Sequence, residues 1–162
     1  ERVEGAKIAR VTFKLDGESR YPDATFTLRL AWGPVTGYRD HGQDLAPFTT
    51  IKGLIQRATG KPPYRLPQRW IDKQAAIGPD VKLNFVSTAD IHGGNSGSPV
   101  VDRAGRFVGI IFDNNIHGLP NRFVYTDARA RAVAVHAEAI LHSLRKIYGA
   151  QPLVDEIEKA AK

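Results

Sequence analysis

The chain has 162 residues, of which 42% are hydrophobic and 25% charged, which is enough apolar side chain for a core and too much for a disordered chain. Its formal net charge is +6 at pH 7, but the basic residues are spread along the sequence. The densest group, between Lys61 and Lys73, is interrupted by prolines, so we expect a solvated loop there and no nucleic-acid site. No apolar run approaches the ~18 residues that a membrane span needs, and the absence of cysteine excludes disulfides and thiolate metal sites.

The first hundred residues predict several short strands. Apolar and polar residues alternate at residues 11–15, 26–32 and 81–85, as they do on a half-buried strand. Between these strands, residues 49–58 predict a short helix, and residues 57–79 predict a long irregular connection.

The second part of the sequence predicts a hairpin, two more strands and two helices. Two apolar runs, at residues 99–101 and 107–112, flank a polar turn and predict the hairpin. The later elements are short strands at 123–125 and 132–135, a helix at 136–148 that ends at Gly149, and a weaker helix at 152–162. Six or seven strands with terminal helices predict a mainly β fold, an antiparallel barrel with C-terminal helices, in a single domain over residues 1–162.

The most informative segment is Gly93-Gly94-Asn95-Ser96-Gly97-Ser98-Pro99, directly before the predicted hairpin. Glycines allow the dihedral angles that a loop needs when its N–H groups turn toward a substrate carbonyl. The pattern is typical of the loop that carries the nucleophile in chymotrypsin-like serine peptidases. Ser96 is therefore a candidate nucleophile, and the amides of Gly94 and Ser96 are a candidate oxyanion hole. A Gly/Ser-rich surface turn before a strand is the alternative.

A serine hydroxyl needs a general base, and that base needs an orienting carboxylate. In the chymotrypsin architecture the His and Asp come from the first of two barrels. We therefore expect this chain to be the second barrel of a double-barrel peptidase, with the His and Asp on a missing N-terminal part of the same polypeptide. Two alternatives lie within the chain: His41 with Asp40 or Asp44, and His92, four residues before Ser96.

Four blocks of the sequence, in this order, resemble the bacterial dipeptidyl-peptidase 7 and 11 family of serine exopeptidases. They are YPDATFTLRL at residues 21–30, PFTTIKGL at 47–54, NFVSTADI leading into GGNSGSP at 84–99, and GIIFDNN at 109–115. The resemblance covers nearly the whole chain but only the C-terminal part of a family member. It implies that the large helical domain, the His and the Asp are missing here.

The resemblance also implies partners, location and cofactors. Family members act on peptides with a free N-terminus, are periplasmic or associated with the outer membrane, and are often homodimers. They use no metal or organic cofactor. A binding or structural module that keeps the fold without catalysis is the alternative function.

Carried over by resemblance, the nucleophile is Ser96 and the oxyanion amides are those of Gly94 and Ser96. The aromatic and acidic pair that helps to hold the substrate's amino terminus is Phe112 and Asp113. A carboxylate is a natural partner for an ammonium. The alternatives are that Phe112 belongs to the core and that Asp113 caps its own turn.

The next family position is usually Gly, or Arg in members that cut after acidic residues. Here it is Asn114, and the family's following Asn-Trp pair is Asn115-Ile116. A neutral amide cannot supply the bidentate, charge-assisted recognition of a carboxylate that Arg offers. Asn114 therefore predicts a preference for neutral residues over Asp or Glu in the second position of the substrate.

Overall fold

The structure is a computed structural model that describes residues 7, 10, 11, 14, 15 and 28–160, except the side chain of Arg122. The chain divides into two compact units, Glu1–Leu30 and Ala31–Lys162. In the first unit, the described residues Val11 and Leu15 are helical, so the predicted strand at 11–15 is wrong for them, while Phe13 lies outside the described residues. A spacing of four residues also fits one face of a helix, which a short alternation cannot exclude. The single domain stays a prediction.

The strand predicted at residues 26–32 is also wrong for its described part, residues 28–32, which form no strand. Leu28, Leu30 and Trp32 are 103%, 85% and 82% exposed. Alternation of apolar and polar residues indicates which side chains would share a face, but a strand forms only where a neighbouring strand accepts and donates its hydrogen bonds. None of the described strands pairs with these residues.

Seven strands make up the sheets of the described residues. β1 (Tyr38–Asp40) and β2 (Gln43–Leu45) form a separate hairpin. The other five form one antiparallel sheet in the order β3-β4-β7-β6-β5, with the ranges β3 Phe48–Thr50, β4 Lys82–Ser87, β5 Pro99–Val101, β6 Phe107–Asn114 and β7 Ala132–His136. The predicted hairpin is confirmed, because β5 pairs with β6 and Val100 lies opposite Gly109. The predicted strands at 81–85 and 132–135 correspond to β4 and β7.

Two short helices lie between β3 and β4, and the first of them has a side-chain cap. α1 (Ile51–Arg57) confirms the helix predicted at 49–58, and the Thr50 hydroxyl accepts the Gly53 N–H at its start. The connection predicted to be irregular at 57–79 contains α2 (Gln68–Lys73) and a 3₁₀ turn, so that prediction is wrong in part. Pro67 directly precedes this helix, and its carbonyl accepts the Trp70 N–H.

The segment after β6 departs from the prediction. Residues 116–122 form a 3₁₀ helix, Ile116–Arg122, and the strand predicted at 123–125 is wrong. The Asn121 side chain donates to the Thr126 carbonyl and accepts the Thr126 N–H, which closes a loop over the residues between them. Phe123 and Val124 therefore point outward, 82% and 73% exposed.

The C-terminal helices agree with the sequence. α3 (Ala137–His142) continues as a π-helix, Ser143–Tyr148, and ends at Gly149, whose φ of +66° is in the left-handed region. α4 (Gln151–Ala160) confirms the last predicted helix, of which residues 161 and 162 lie outside the described residues. The mainly antiparallel β fold with C-terminal helices is confirmed.

Two groups of buried apolar side chains form the core. The group under the central strands consists of Phe85, Ile91, Ile111, Ala132 and Ala134. The group between the helices and β4 consists of Ile51, Ile77, Val81 and Ile147. Ile91, just before the loop that carries Ser96, and Ile111, in β6 beneath that loop, are both buried in the first group and anchor these two segments. None of the helices in the described part of the chain is long and apolar enough to cross a membrane.

Candidate active site

Ser96 lies in the loop between β4 and β5, and backbone hydrogen bonds hold this loop on β6. The Gly97 N–H donates to the Ile111 carbonyl at 2.8 Å, and the Ile111 N–H donates to the Ser98 carbonyl at 3.0 Å. The loop is therefore fixed to the strand that follows it in the hairpin.

The glycines and Asn95 shape the same loop. Gly94 and Gly97 have φ angles of +101° and +89°, which residues with a Cβ rarely adopt. The Asn95 side chain accepts the His92 N–H at 2.9 Å, and the Asn95 N–H donates to the His92 carbonyl at 3.1 Å. The loop geometry therefore depends on the residue types that define the motif.

The backbone donors of residues 93–98 fall into two groups. Three N–H groups donate to backbone carbonyls: those of Asn95, Gly97 and Ser98. Three have no acceptor among the residues that the structure describes: those of Gly93, Gly94 and Ser96. Unused N–H groups on both sides of Asn95, next to a serine hydroxyl, are an arrangement that can stabilise an oxyanion.

The Ser96 side chain is exposed, and its hydroxyl donates to the Phe112 carbonyl at 3.1 Å. No imidazole of the described residues is a hydrogen-bond partner of this hydroxyl. Among the described residues, Ser96 therefore lies next to unused N–H donors but has no basic side chain hydrogen-bonded to its hydroxyl.

A β-bulge in β6 sets the direction of the next side chains. Ile111 lies opposite Ala134, whereas Asp113 lies opposite Val133, so Phe112 is an extra residue in the strand. Bulges bend a strand and re-aim its side chains. Phe112 is accordingly 44% exposed, and Asp113 is exposed as well.

One cavity, of about 190 Å³, brings the predicted residues Ser96, Phe112, Asp113 and Asn114 together. Its other lining residues are Ile91, His92, Gly93, Gly118 and Leu119. Gly94 lies in the serine loop and does not line the cavity. The sequence did not predict Gly118 and Leu119 as lining residues, because a 3₁₀ helix interrupted by glycine and proline has no clear periodicity.

The Asp113 carboxylate is partly engaged. Its Oδ1 accepts the Asn114 N–H at 2.8 Å, which is the geometry of the turn-capping alternative. It forms no salt bridge with a described cation, as the ion pairs of this part of the chain involve other carboxylates. A carboxylate has further acceptor positions, so a bound ammonium can share it with the backbone.

The Asn114 side chain forms part of the cavity wall. Its Nδ2 donates to the Ile91 carbonyl at 3.2 Å, and it packs closely on Gly118, where an added Cβ would lie 3.0 Å from the Asn114 Cβ. The wall at this position is therefore neutral and held in place from both sides.

The dyad of His41 and Asp40 does not reach the cavity. The His41 side chain is 94% exposed, its Nε2 lies 3.8 Å from Asp40, and neither residue lines the cavity. Asp40 lies closer to His117, at 3.2 Å, and to Arg129, at 3.4 Å. The close approach of the His117 imidazole, with the charges of the neighbouring cations, lowers the pKa of the Asp40 carboxyl despite partial burial. Asp44 faces Arg39 at 3.9 Å.

His92 lines the cavity together with Ser96, and its Nε2 lies 3.5 Å from the mostly buried Asp90 carboxylate. The Ser96 hydroxyl nevertheless donates to the Phe112 carbonyl. A base role for His92 stays a hypothesis. No three His, Cys, Asp or Glu residues are grouped as metal ligands in the described ranges.

The family model described as Peptidase S46 matches residues 1–159. The chain is 30% identical to an Asp/Glu-specific dipeptidyl-peptidase of Shewanella putrefaciens, with 90% of this chain and 24% of the relative covered. It is 31% identical to dipeptidyl-peptidase 7 of Phocaeicola vulgatus, with 86% of this chain and 21% of the relative covered. The chain thus spans less than a quarter of the length of these curated relatives.

Among solved structures, the chain is similar to Porphyromonas endodontalis DPP11 in complex with the dipeptide Arg-Glu. The TM-score is 0.79 at 25% identity, covering 91% of this chain and 23% of that one. Together with the antiparallel sheet, this likeness is consistent with one half of a double-barrel fold.

Proposed function

The chain belongs to the peptidase S46 family, and we propose that it is the serine-bearing part of a dipeptidyl-peptidase. In this proposal the Ser96 hydroxyl loses its proton to the general base and attacks the carbonyl carbon of the second residue of a peptide. The peptide bond after that residue breaks, the remaining peptide leaves as a protonated amine, and water hydrolyses the acyl-enzyme ester to release the dipeptide. The chymotrypsin-like assignment of the barrel is part of the same proposal.

One observation carries the proposal: the Ser96 hydroxyl and the unused N–H groups of Gly94 and Ser96 lie together in a loop that borders a cavity. When the hydroxyl attacks, negative charge develops on the carbonyl oxygen of the substrate. Donors that are already oriented stabilise this charge without reorganisation, and loss of one such donor typically costs about 10²- to 10³-fold in rate.

The general base and its carboxylate are proposed to come from the rest of a longer polypeptide, which we call the parent protein. Among the described residues the Ser96 hydroxyl donates only to the Phe112 carbonyl, and the chain spans less than a quarter of the length of these relatives. Leu119, which lines the cavity, is 63% exposed, and Ile116 at the start of the same 3₁₀ helix and Phe123 directly after it are 71% and 82% exposed. An apolar surface of this kind supports a covering segment of the parent protein.

Phe112 and Asp113 are proposed to bind the amino terminus of the substrate. The bulge turns both side chains toward the cavity, and Asp113 carries a carboxylate without a cationic partner among the described residues. Asn114 then forms the wall beside the side chain of the second substrate residue. Its neutral amide supports a preference for neutral residues, although relatives named Asp/Glu-specific occur.

Covalent labelling tests the nucleophile. The parent protein is treated with a fluorophosphonate, which phosphonylates an activated serine, and the modified peptide is identified by mass spectrometry. We expect the label on Ser96, no label in Ser96→Ala, and full labelling in the control Ser143→Ala, whose serine lies in the π-helix. A label at another serine, or none in the folded parent protein, contradicts the proposal.

The alternative function is a peptide-binding or structural module without catalysis. The absence of a base hydrogen-bonded to Ser96 within the described residues favours it over an enzyme made of this chain alone. A parent protein that binds dipeptides but resists labelling would support the module. A periplasmic or outer-membrane-associated location and a homodimer stay predictions that rest on the resemblance.

A further inference from the structure

Arg131 is a buried cation directly before β7. Only 6% of the residue is exposed. Its guanidinium donates to four backbone carbonyls, those of Thr36, Gly37, Asp127 and Ala130, at distances of 3.0, 2.6, 2.6 and 2.7 Å. No salt bridge joins it to a carboxylate of the described residues, whose ion pairs involve other cations.

A buried charge is costly unless hydrogen bonds replace its hydration. The four carbonyls belong to two segments far apart in sequence, residues 36–37 and residues 127–130, so the guanidinium ties these segments together. The ring of Tyr38 packs under the cation, 5.6 Å from its central carbon. A lysine ammonium could not span these acceptors, because it has no planar fork of donors.

Asn115 connects Arg131 to the cavity. The Asn115 N–H donates to the Arg131 carbonyl, and the Arg131 N–H donates to Asn115 Oδ1, both at 2.9 Å. Asn115 Nδ2 also donates to the Arg129 carbonyl at 2.8 Å. Three hydrogen bonds therefore fix the residue that directly follows Asp113 and Asn114 in the cavity wall.

The same residue also precedes a second part of the cavity wall. The Asn115 carbonyl accepts the Gly118 N–H at 2.9 Å, at the start of the 3₁₀ helix that contributes Gly118 and Leu119 to the cavity. Displacement of Asn115 would therefore move both parts of the wall.

We infer that Arg131 and Asn115 are positioning residues for substrate binding. Arg131 holds the segment that holds Asn115, and Asn115 holds Asp113 and Asn114 at the angle from which they meet the substrate. This inference rests on the proposed function, in which Asp113 binds the amino terminus. Neither positioning residue lines the cavity, so their effect reaches the substrate only through the wall.

Kinetics of the parent protein test the inference. Arg131→Lys keeps the charge and removes the fork, and we expect KM for a dipeptidyl substrate to rise on the order of tenfold while kcat changes less than about threefold. A purely structural role would lower the folded fraction, and hence the apparent kcat, without changing KM. The matched control is Arg106→Lys, since Arg106 is 79% exposed in the hairpin turn and pairs with Asp102; its KM should equal that of the wild type.

The route through the wall is tested in an Asp113→Asn background. If Arg131 acts through Asp113, the rise in KM caused by Arg131→Lys should shrink at least about threefold in that background. An equal rise in both backgrounds, or a wild-type KM in folded Arg131→Lys, overturns the inference. An unchanged KM in Asp113→Asn alone removes the amine anchor, and the inference with it; this outcome identifies the proposed function as the part that failed.

Asn115→Asp provides the same test if Arg131→Lys does not fold. It keeps the Oδ1 acceptor for the Arg131 N–H and replaces the donor to the Arg129 carbonyl by an oxygen, which is repelled there. We expect KM to rise in the same direction as for Arg131→Lys. A wild-type KM in the folded Asn115→Asp variant overturns the inference.

Discussion

Replacing Asp113 by asparagine separates two roles for its carboxylate. In the structure Oδ1 accepts the Asn114 N–H at 2.8 Å on an exposed residue, and an amide oxygen can replace that acceptor, so a purely turn-capping role costs at most about 1 kcal/mol of stability. If Asp113 holds the substrate's ammonium in a closed site, the lost pair costs about 3 to 5 kcal/mol. That corresponds to roughly two to three decades or more in kcat/KM.

The assay compares kcat/KM for a fluorogenic dipeptide with a free amino terminus in the parent protein and its variants. Asp102→Asn is the matched control, because Asp102 also accepts backbone N–H groups, from Ala104 at 2.9 Å and Arg106 at 3.0 Å, but lies in the hairpin turn. We expect Asp102→Asn to keep its activity.

Acetylation of the substrate's amino terminus removes the ammonium that Asp113 is proposed to bind. The wild type should not cleave the acetylated dipeptide. Equal cleavage of free and acetylated substrates, or an Asp113→Asn loss of less than about threefold in kcat/KM, refutes the amine anchor and leaves Asp113 as a turn residue.

Selectivity, pH dependence and packing each give a further expected outcome. Because Asn114 is neutral, a dipeptide panel should show higher kcat/KM for neutral second residues than for Asp or Glu, and the reverse order would contradict its role. Burial lowers the pKa of His136 below its ordinary 6.5, so the unfolded chain binds the proton more readily than the folded chain. The free energy of unfolding should therefore fall as the pH drops below 6.5, and denaturant titrations should show that His136→Asn flattens this dependence. A Cβ at Gly109 would lie 2.3 Å from the Val135 carbonyl oxygen, so Gly109→Ala should destabilise the chain by about 1 to 3 kcal/mol or more in thermal unfolding. Gly53→Ala in α1, where a Cβ meets nothing closer than 4.0 Å, should stabilise the chain by up to about 1 kcal/mol in the same measurement.

The local parts of the site could be predicted from the sequence. The serine loop and the hairpin after it are neighbours in the chain, and glycine, asparagine and the two apolar runs specify them by local dihedral angles and alternation. Once β5 pairs with β6, Ser96 and Phe112 must lie close together, and the structure has them in hydrogen-bond contact at 3.1 Å.

The remaining parts depend on contacts that a local pattern does not contain. The bulge at Phe112 follows from the register of β6 on β7, and the loop at 123–125 is closed by Asn121. Arg131 reaches Thr36, which is 95 residues away, and nothing in the sequence around either residue indicates that pairing. The alternation at residues 28–32 shows the converse, since a good strand pattern forms no strand where no described strand pairs with it.

Release of dipeptides tests the central claim most directly. The parent protein is incubated with an unblocked peptide and with its N-acetylated form, and the products are identified by mass spectrometry for the wild type, for Ser96→Ala and for the isolated chain. We predict stepwise release of dipeptides from the free amino terminus by the wild-type parent alone, because this chain has no base hydrogen-bonded to Ser96 among its described residues. Dipeptide release that persists in Ser96→Ala, or a folded wild-type parent that releases no dipeptides, would contradict the claim.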